Sequence, residues 1–224
     1  MKTNSVAWIA FGGLALLGAS LALASRPLAP SMTRGSAPSN ESAKVGTNPG
    51  GIFQSAVPKA QGKNEIAAFS GGCFWGVENA FRKVPGVVAT AVGFTGGHTM
   101  NPSYEDVCTH TTGHAETVLV EFNPAVVSYR KLLHTYWDHH DPTTVNRQGP
   151  DYGDQYRSAI WTFTPAQAGD VAASMKEEQK NWADPIVTLV KPAVRFWPAE
   201  DYHQQYDEKT GTDTCPTPRK TRKV

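Results

Sequence analysis

The sequence predicts one two-layer domain of mixed strands and helices, of the α+β or α/β class, on three observations. Apolar runs of strand length alternate with segments of helical periodicity, Pro and Gly mark the joints between them, and no internal repeat is present. Ile66 to Phe69 reads as a strand, and Phe74, Val77, Phe81 and Val84 then recur at helical spacing until Pro85-Gly86 stops the helix. Val87 to Phe94 is strand-like and closes at Gly96-Gly97; Thr117 to Phe122 is another strand, ended by Asn123-Pro124. Tyr129, Leu132, Leu133, Tyr136, Trp137 and His140 share one helical face. Ser158 to Phe163 returns to strand, and Thr164-Pro165 with Gln167 starts a helix that reaches Trp182. Ile186 to Phe196 reads as a last, longer strand, in which Pro192 marks an irregular or edge position, and a short helix follows from Glu200 to about Lys209.

A chain of 224 residues with 40% hydrophobic content can bury one good core. With 21 Lys and Arg against 20 Asp and Glu, no net field recruits nucleic acid, and the basic cluster Arg219, Lys220, Arg222 and Lys223 reads as a solvated tail. Lys2 and Arg26 bracket an uncharged, mostly apolar run ending in Ala22-Leu23-Ala24, so residues 1–24 read as a secretory signal peptide or an uncleaved membrane anchor. The body is therefore expected in the periplasm or otherwise outside the cytoplasm, with a membrane-anchored, outward-facing form as the alternative. Residues 25–64 are rich in Pro, Ser, Gly, Ala and Asn and read as a flexible linker whose last dozen residues can drape over the domain, 65–210 as the folded domain, and 211–224 as a flexible tail. Only Cys73, Cys108 and Cys215 are cysteines, which excludes a disulfide-stapled scaffold and leaves at least one thiol unpaired.

The segment Gly71-Gly72-Cys73-Phe74-Trp75-Gly76 carries the chemistry. A cysteine in the first turn of a helix, where a strand runs through glycines into it, faces unpaired N–H groups and the positive end of the helix dipole, which favour thiolate. Phe74 and Trp75 can wall an apolar pocket beside the sulfur. The competing reading is a structural cysteine buried ahead of a core helix. Glu116 opens a strand and can act as an acid if a pocket encloses it; otherwise it is a solvated strand end. Tyr104, in a loop after Asn101-Pro102, and Tyr156 can hold a dipolar oxygen if they converge, and Asp151 reads first as a turn residue. Cys215, in the polar tail, can deliver a second thiol to a reactive cysteine. Cys108, His110 and His114 match no zinc spacing, and no metal is expected.

Together with Tyr104-Glu105-Asp106-Val107-Cys108, Thr112-Gly113-His114-Ala115-Glu116, Arg147-Gln148-Gly149, Gln155-Tyr156-Arg157-Ser158-Ala159-Ile160 and Ala199-Glu200-Asp201-Tyr202-His203-Gln204, that segment resembles the peptide-methionine (S)-S-oxide reductases, from about Glu65 to Tyr206. The resemblance implies an α+β roll, a two-layer arrangement with a central mixed sheet flanked by helices. It implies thiol-dependent reduction of the S-epimer of methionine sulfoxide, free or in oxidised proteins, by a monomer without a prosthetic cofactor. Cys73 matches the nucleophile, Glu116 the acid, Tyr104 and Tyr156 the phenols on the sulfoxide oxygen, Asp151 a supporting aspartate, and Phe74 and Trp75 the wall around the substrate methyl group. Cys215 matches the resolving cysteine, although it stands in Thr214-Cys215-Pro216 where the family often has Gly-Tyr-Cys-Gly; Cys108 is left structural. A thioredoxin-like dithiol, here an extracytoplasmic one, is the implied reductant. The alternatives are a thiol peroxidase built on the same cysteine and a non-catalytic binder of oxidised methionine.

Overall fold

The computed structural model describes residues 57–214; the apolar N-terminal run, most of the expected linker and Cys215 lie outside the described residues. Six strands form one mixed sheet in the order β7-β6-β1-β3-β2-β8, where β1 is Glu65–Gly71, β2 Val87–Thr95, β3 Ala115–Phe122, β6 Ser158–Thr162, β7 Leu189–Pro192 and β8 Phe196–Pro198. Only β6 and β7 pair in parallel; the other neighbours are antiparallel. A separate two-stranded ribbon joins β4 (Arg147–Gln148) to β5 (Asp151–Tyr152).

Strand alternation divides the core. On β1, Ala67 and Phe69 face the larger apolar cluster, shared with Phe81, Leu132, Leu133, Tyr136 and Trp137, while Ile66 and Ala68 face a smaller one with Leu119 and Trp161. Two helices packed on the larger cluster begin where the sequence provides capping side chains. Ser128 accepts the Lys131 N–H at the start of α3 (Tyr129–Asp138), and Thr164 accepts the Gln167 N–H at the start of α4 (Pro165–Glu178) with Pro165 in the first turn.

The expected long strand 186–196 is instead two short ones on opposite edges of the sheet. β7 runs beside β6, and after Pro192 the chain crosses to place β8 beside β2. Proline lacks the N–H that a continuous ladder needs, and the crossing lets one apolar stretch cover both edges. The expected helix from Glu200 is a series of turns followed by α5 (Tyr206–Thr210).

The described residues of the expected linker and of the expected tail contact the domain. Within the linker, the Gln61 N–H and Asn64 side chain both donate to Glu121 of β3. At the tail, the Thr214 N–H donates to Asp207 at 2.9 Å and its hydroxyl to the other Asp207 oxygen. Each contact is made by a carboxylate accepting two bonds.

Candidate active site

Cys73 is the N-cap of α1 (Phe74–Arg82), not a first-turn residue, and precedes a helix that buries Phe74, Val77 and Phe81. Gly72 must be glycine here: its φ is +96°, and a Cβ would lie 2.7 Å from the stem of Gln148. Gln148 in turn accepts from the Asp141 N–H and donates to the Asp141 carbonyl, so the ribbon carrying Asp151 is seated against the cysteine loop. Beneath the loop, Tyr136 donates to the Ser70 carbonyl, and Ser158 links Tyr136, His140 and Thr188. Burial pushes His140 down to about 4, which makes it the core histidine its helical face predicts.

Glu116 lies near the start of β3 opposite Phe94 and is only 2% exposed. The Phe74 N–H, one residue beyond the cysteine, donates to its carboxyl at 3.0 Å. Burial dominates: it pushes Glu116 up to about 8, against the pull of that N–H and with a further push from Asp151. At neutral pH this group is a carboxylic acid. Its enclosure overturns the solvated reading of a strand-end glutamate.

The expectation that the helix start favours a Cys73 thiolate is also overturned. Burial first, and the Glu116 charge second, push the thiol up to about 12, although the N–H groups of Trp75 and Gly76 pull it down. The two groups are coupled: when Glu116 holds its proton, its push on Cys73 vanishes.

Tyr104 is the first residue of α2 (Tyr104–Cys108) rather than a loop residue, because Ser103 and Asp106 form a capping box ahead of it. Tyr156 ends the short 3-10 turn Asp154–Tyr156, which Arg157 pins to the Gly113 carbonyl at 2.9 Å. Burial raises both phenols, and the Glu116 charge is the second cause for each. Both are thus protonated donors gathered around one acid. Asp151 is raised by burial and acts on Cys73, Glu116 and Tyr156. The site therefore combines a thiol, a neutral carboxyl and two phenols beside an apolar wall. That set can protonate and stabilise an oxygen while sulfur attacks the atom bearing it.

Comparison with known proteins agrees with the geometry: residues 65–223 match the family model described as peptide methionine sulfoxide reductase. The chain belongs to the peptide methionine sulfoxide reductase family. It is 58% identical over 155 residues to the peptide methionine sulfoxide reductase MsrA of Methanoculleus marisnigri, covering 68% of this chain and 94% of that one. It is 53% identical over 148 residues to the peptide methionine sulfoxide reductase A2 of Arabidopsis thaliana, covering 66% and 68% of the two chains. Among solved structures, the reduced form of Mxr1 from Saccharomyces cerevisiae superposes with a TM-score of 0.68 at 35% identity, covering 75% of this chain and 97% of that one. Methionine sulfoxide reductase A of Corynebacterium diphtheriae gives 0.64 at 34% identity, with 79% and 92% covered. The activity is thiol-dependent reduction of methionine sulfoxide, on the α+β roll that the resemblance implied.

Within this reductase, Phe74 packs against Phe94 and Tyr104, while Trp75 stacks on Tyr206 with ring centroids 3.8 Å apart. Cys215 itself is outside the described residues, but Thr214 is held by Asp207, and its carbonyl occupies the space a Cβ on Gly76 would need, 2.3 Å away. Among the described residues, Cys73 and Cys108 are free thiols, and no group of three His, Cys, Asp or Glu side chains is placed to hold a metal. His114 instead ties the loop at 97–99, accepting from the Gly97 N–H and bonding the Thr99 carbonyl, and His110 bonds Gln155. Sequence reasoning missed Gln148, Arg157, Glu200 and His203. The only signal for them was their place in the motifs that carry the family resemblance.

Proposed function

We propose that this enzyme reduces the S-epimer of methionine sulfoxide, free or in oxidised proteins, with Cys73 as nucleophile and Glu116 as proton donor. The observation that carries the reading is the buried Glu116 carboxyl, held neutral at pH 7 and hydrogen-bonded to the N–H next to Cys73. A sulfoxide sulfur is a poor electrophile until its oxygen gains a proton. Glu116 donates that proton while the phenols of Tyr104 and Tyr156 hydrogen-bond the oxygen, and Asp151 supports the polarity of the site. Phe74 and Trp75 receive the substrate methyl group, and a pocket with its donors on one side and its wall on the other accepts one configuration at sulfur. Cys73 attacks the sulfoxide sulfur as its S–H proton passes to Glu116; the protonated oxygen then moves from the substrate sulfur to the Cys73 sulfur, both bonds to the substrate sulfur break, and methionine leaves with Cys73 as a sulfenic acid.

The Cys215 thiol then condenses with the sulfenic acid, forming a disulfide and releasing water, and a thioredoxin-like dithiol reduces the disulfide by exchange. Support for Cys215 is that the residue before it is docked on the first turn of α1, three residues beyond Cys73. The apolar run before Ala24 supports an extracytoplasmic location, which requires the reductant to be extracytoplasmic too.

The test is turnover of a peptide carrying defined S- or R-sulfoxide, with dithiothreitol as reductant, by wild type, Cys73→Ser and Cys215→Ser. The expected result is S-epimer turnover in wild type and Cys215→Ser, none in Cys73→Ser, and loss of thioredoxin-dependent turnover in Cys215→Ser. Absence of turnover on either epimer, with turnover of a hydroperoxide, overturns the reading.

A further inference from the structure

We propose that His203, backed by Glu200, is a positioning residue that fixes the orientation of Trp75 and the gap between the apolar wall and the Tyr104 phenol. The inference rests on the reading of Phe74 and Trp75 as the wall that receives the substrate methyl group.

His203 is 1% exposed, in contact with the rings of Phe74, Trp75 and Tyr104. The indole Nε1–H of Trp75 donates to His203 Nδ1 at 3.0 Å. An indole N–H can only donate, so Nδ1 must be the bare nitrogen of a neutral ring and the proton sits on Nε2. Burial, which lowers the basicity of His203, agrees with that neutral form. Nε2 lies 3.9 Å from Glu200 Oε2, and both atoms are buried without a hydrogen-bond partner. The other oxygen of Glu200 accepts the N–H of Tyr104. One His-Glu pair thus touches both sides of the site: Trp75 on α1 and Tyr104 on α2.

The pair is itself rigidly mounted. Gln204 bonds both the N–H and the carbonyl of Val92 on β2, and Gln205, at φ +52°, directs its N–H and its side chain onto Glu78 of α1. A left-handed non-glycine residue persists where surrounding bonds over-determine it. Here they present the His203 ring at a fixed height over the start of α1. The half-buried Trp75 indole would otherwise be free to rotate about its side-chain torsions on the Tyr206 face. Fixing it removes an ordering cost from substrate binding.

The test is steady-state reduction of the S-sulfoxide peptide with dithiothreitol by wild type, Trp75→Phe, His203→Phe, His203→Asn and the double variant Trp75→Phe/His203→Phe. Losing a buried acceptor for Trp75 is expected to raise KM about tenfold in His203→Phe with kcat changed by less than about threefold. Asn places its Oδ1 near the position of Nδ1, so His203→Asn is expected to recover most of that loss. Because His203 acts through Trp75, the double variant is expected to match Trp75→Phe alone. A raised KM in Trp75→Phe with none in His203→Phe overturns the positioning role but keeps the wall. An unchanged KM in Trp75→Phe overturns the wall reading and the inference with it; additive losses in the double variant overturn the coupling. If His203→Phe does not fold, the Trp75 indole proton of the wild type, assigned by its absence in Trp75→Phe, decides. Slow solvent exchange supports the bond to His203, and exchange as fast as an exposed indole overturns it.

Discussion

Replacing Glu116 by Gln separates the two things this carboxyl does, and the size of one can be worked out beforehand. Gln is nearly isosteric and keeps an oxygen for the Phe74 N–H, so the fold is retained while the transferable proton is lost. Activity on the S-sulfoxide is expected to fall about 10²- to 10⁴-fold. Stability responds in the opposite sense at high pH. The folded wild type holds the Glu116 proton up to about 8, against an ordinary value of 4.5. Between those values folding takes up a proton, so a rise in pH destabilises the native state by about 1.4 kcal/mol per unit. Across the whole interval the penalty reaches about 5 kcal/mol, absent below 4.5 and complete above 8. The Glu116→Gln variant, which has no proton to lose there, carries no such penalty. Urea unfolding of both proteins from about pH 4 to about pH 9.5 reads the difference directly, since groups remote from Glu116 titrate alike and cancel. Equal stability at the acid end, with the variant ahead by several kcal/mol at the alkaline end, is the expected outcome. Parallel stability profiles, or retained activity, would refute the argument that Glu116 is a buried neutral acid.

The same coupling predicts the reactivity of Cys73. With its thiol raised by burial, iodoacetamide should label Cys73 at pH 8 at least about tenfold more slowly than an exposed cysteine, read by mass spectrometry of its peptide. Glu116→Gln should leave labelling at pH 6.5 unchanged, because Glu116 is already neutral there, and should accelerate it above pH 8, where the wild-type carboxylate repels the thiolate. Gly72→Ala should cost about 2 kcal/mol and lower kcat/KM about tenfold, because a Cβ at φ +96° meets the Gln148 stem and displaces the ribbon bearing Asp151. Unfolding and rate measurements on that variant check both effects. Arg82→Met should cost about 2–3 kcal/mol by thermal or urea unfolding, since the nearly buried guanidinium joins Thr90 and Glu208 beside the buried Glu78.

Strand-to-helix periodicity was legible along most of the domain. Phe74, Val77 and Phe81 do face the core, and the cap at Thr164 does begin a helix. The failure came at 186–196, where apolar composition reads as one strand and the chain instead serves two sheet edges. Periodicity reports which residues want burial and not which strand they will pair with. Site residues followed the same rule. The cysteine was marked by its glycines and aromatics, yet its thiol is raised rather than lowered, because burial and a carboxyl 43 positions away outweigh the local N–H groups.

The sequence by itself determined a cysteine between glycines and aromatics at a strand-helix junction, a mixed α and β class, and, through several motifs in order, the family. Those are local properties, set by spacing and residue type over short windows. Only the tertiary structure decided that Glu116 is enclosed and neutral, that Tyr104 and Tyr156 face the same acid, and that His203 grips Trp75 from 128 positions away. Each of these depends on desolvation and on contacts between distant segments. Desolvation is a property of everything that surrounds a group, and no stretch of chain carries it alone.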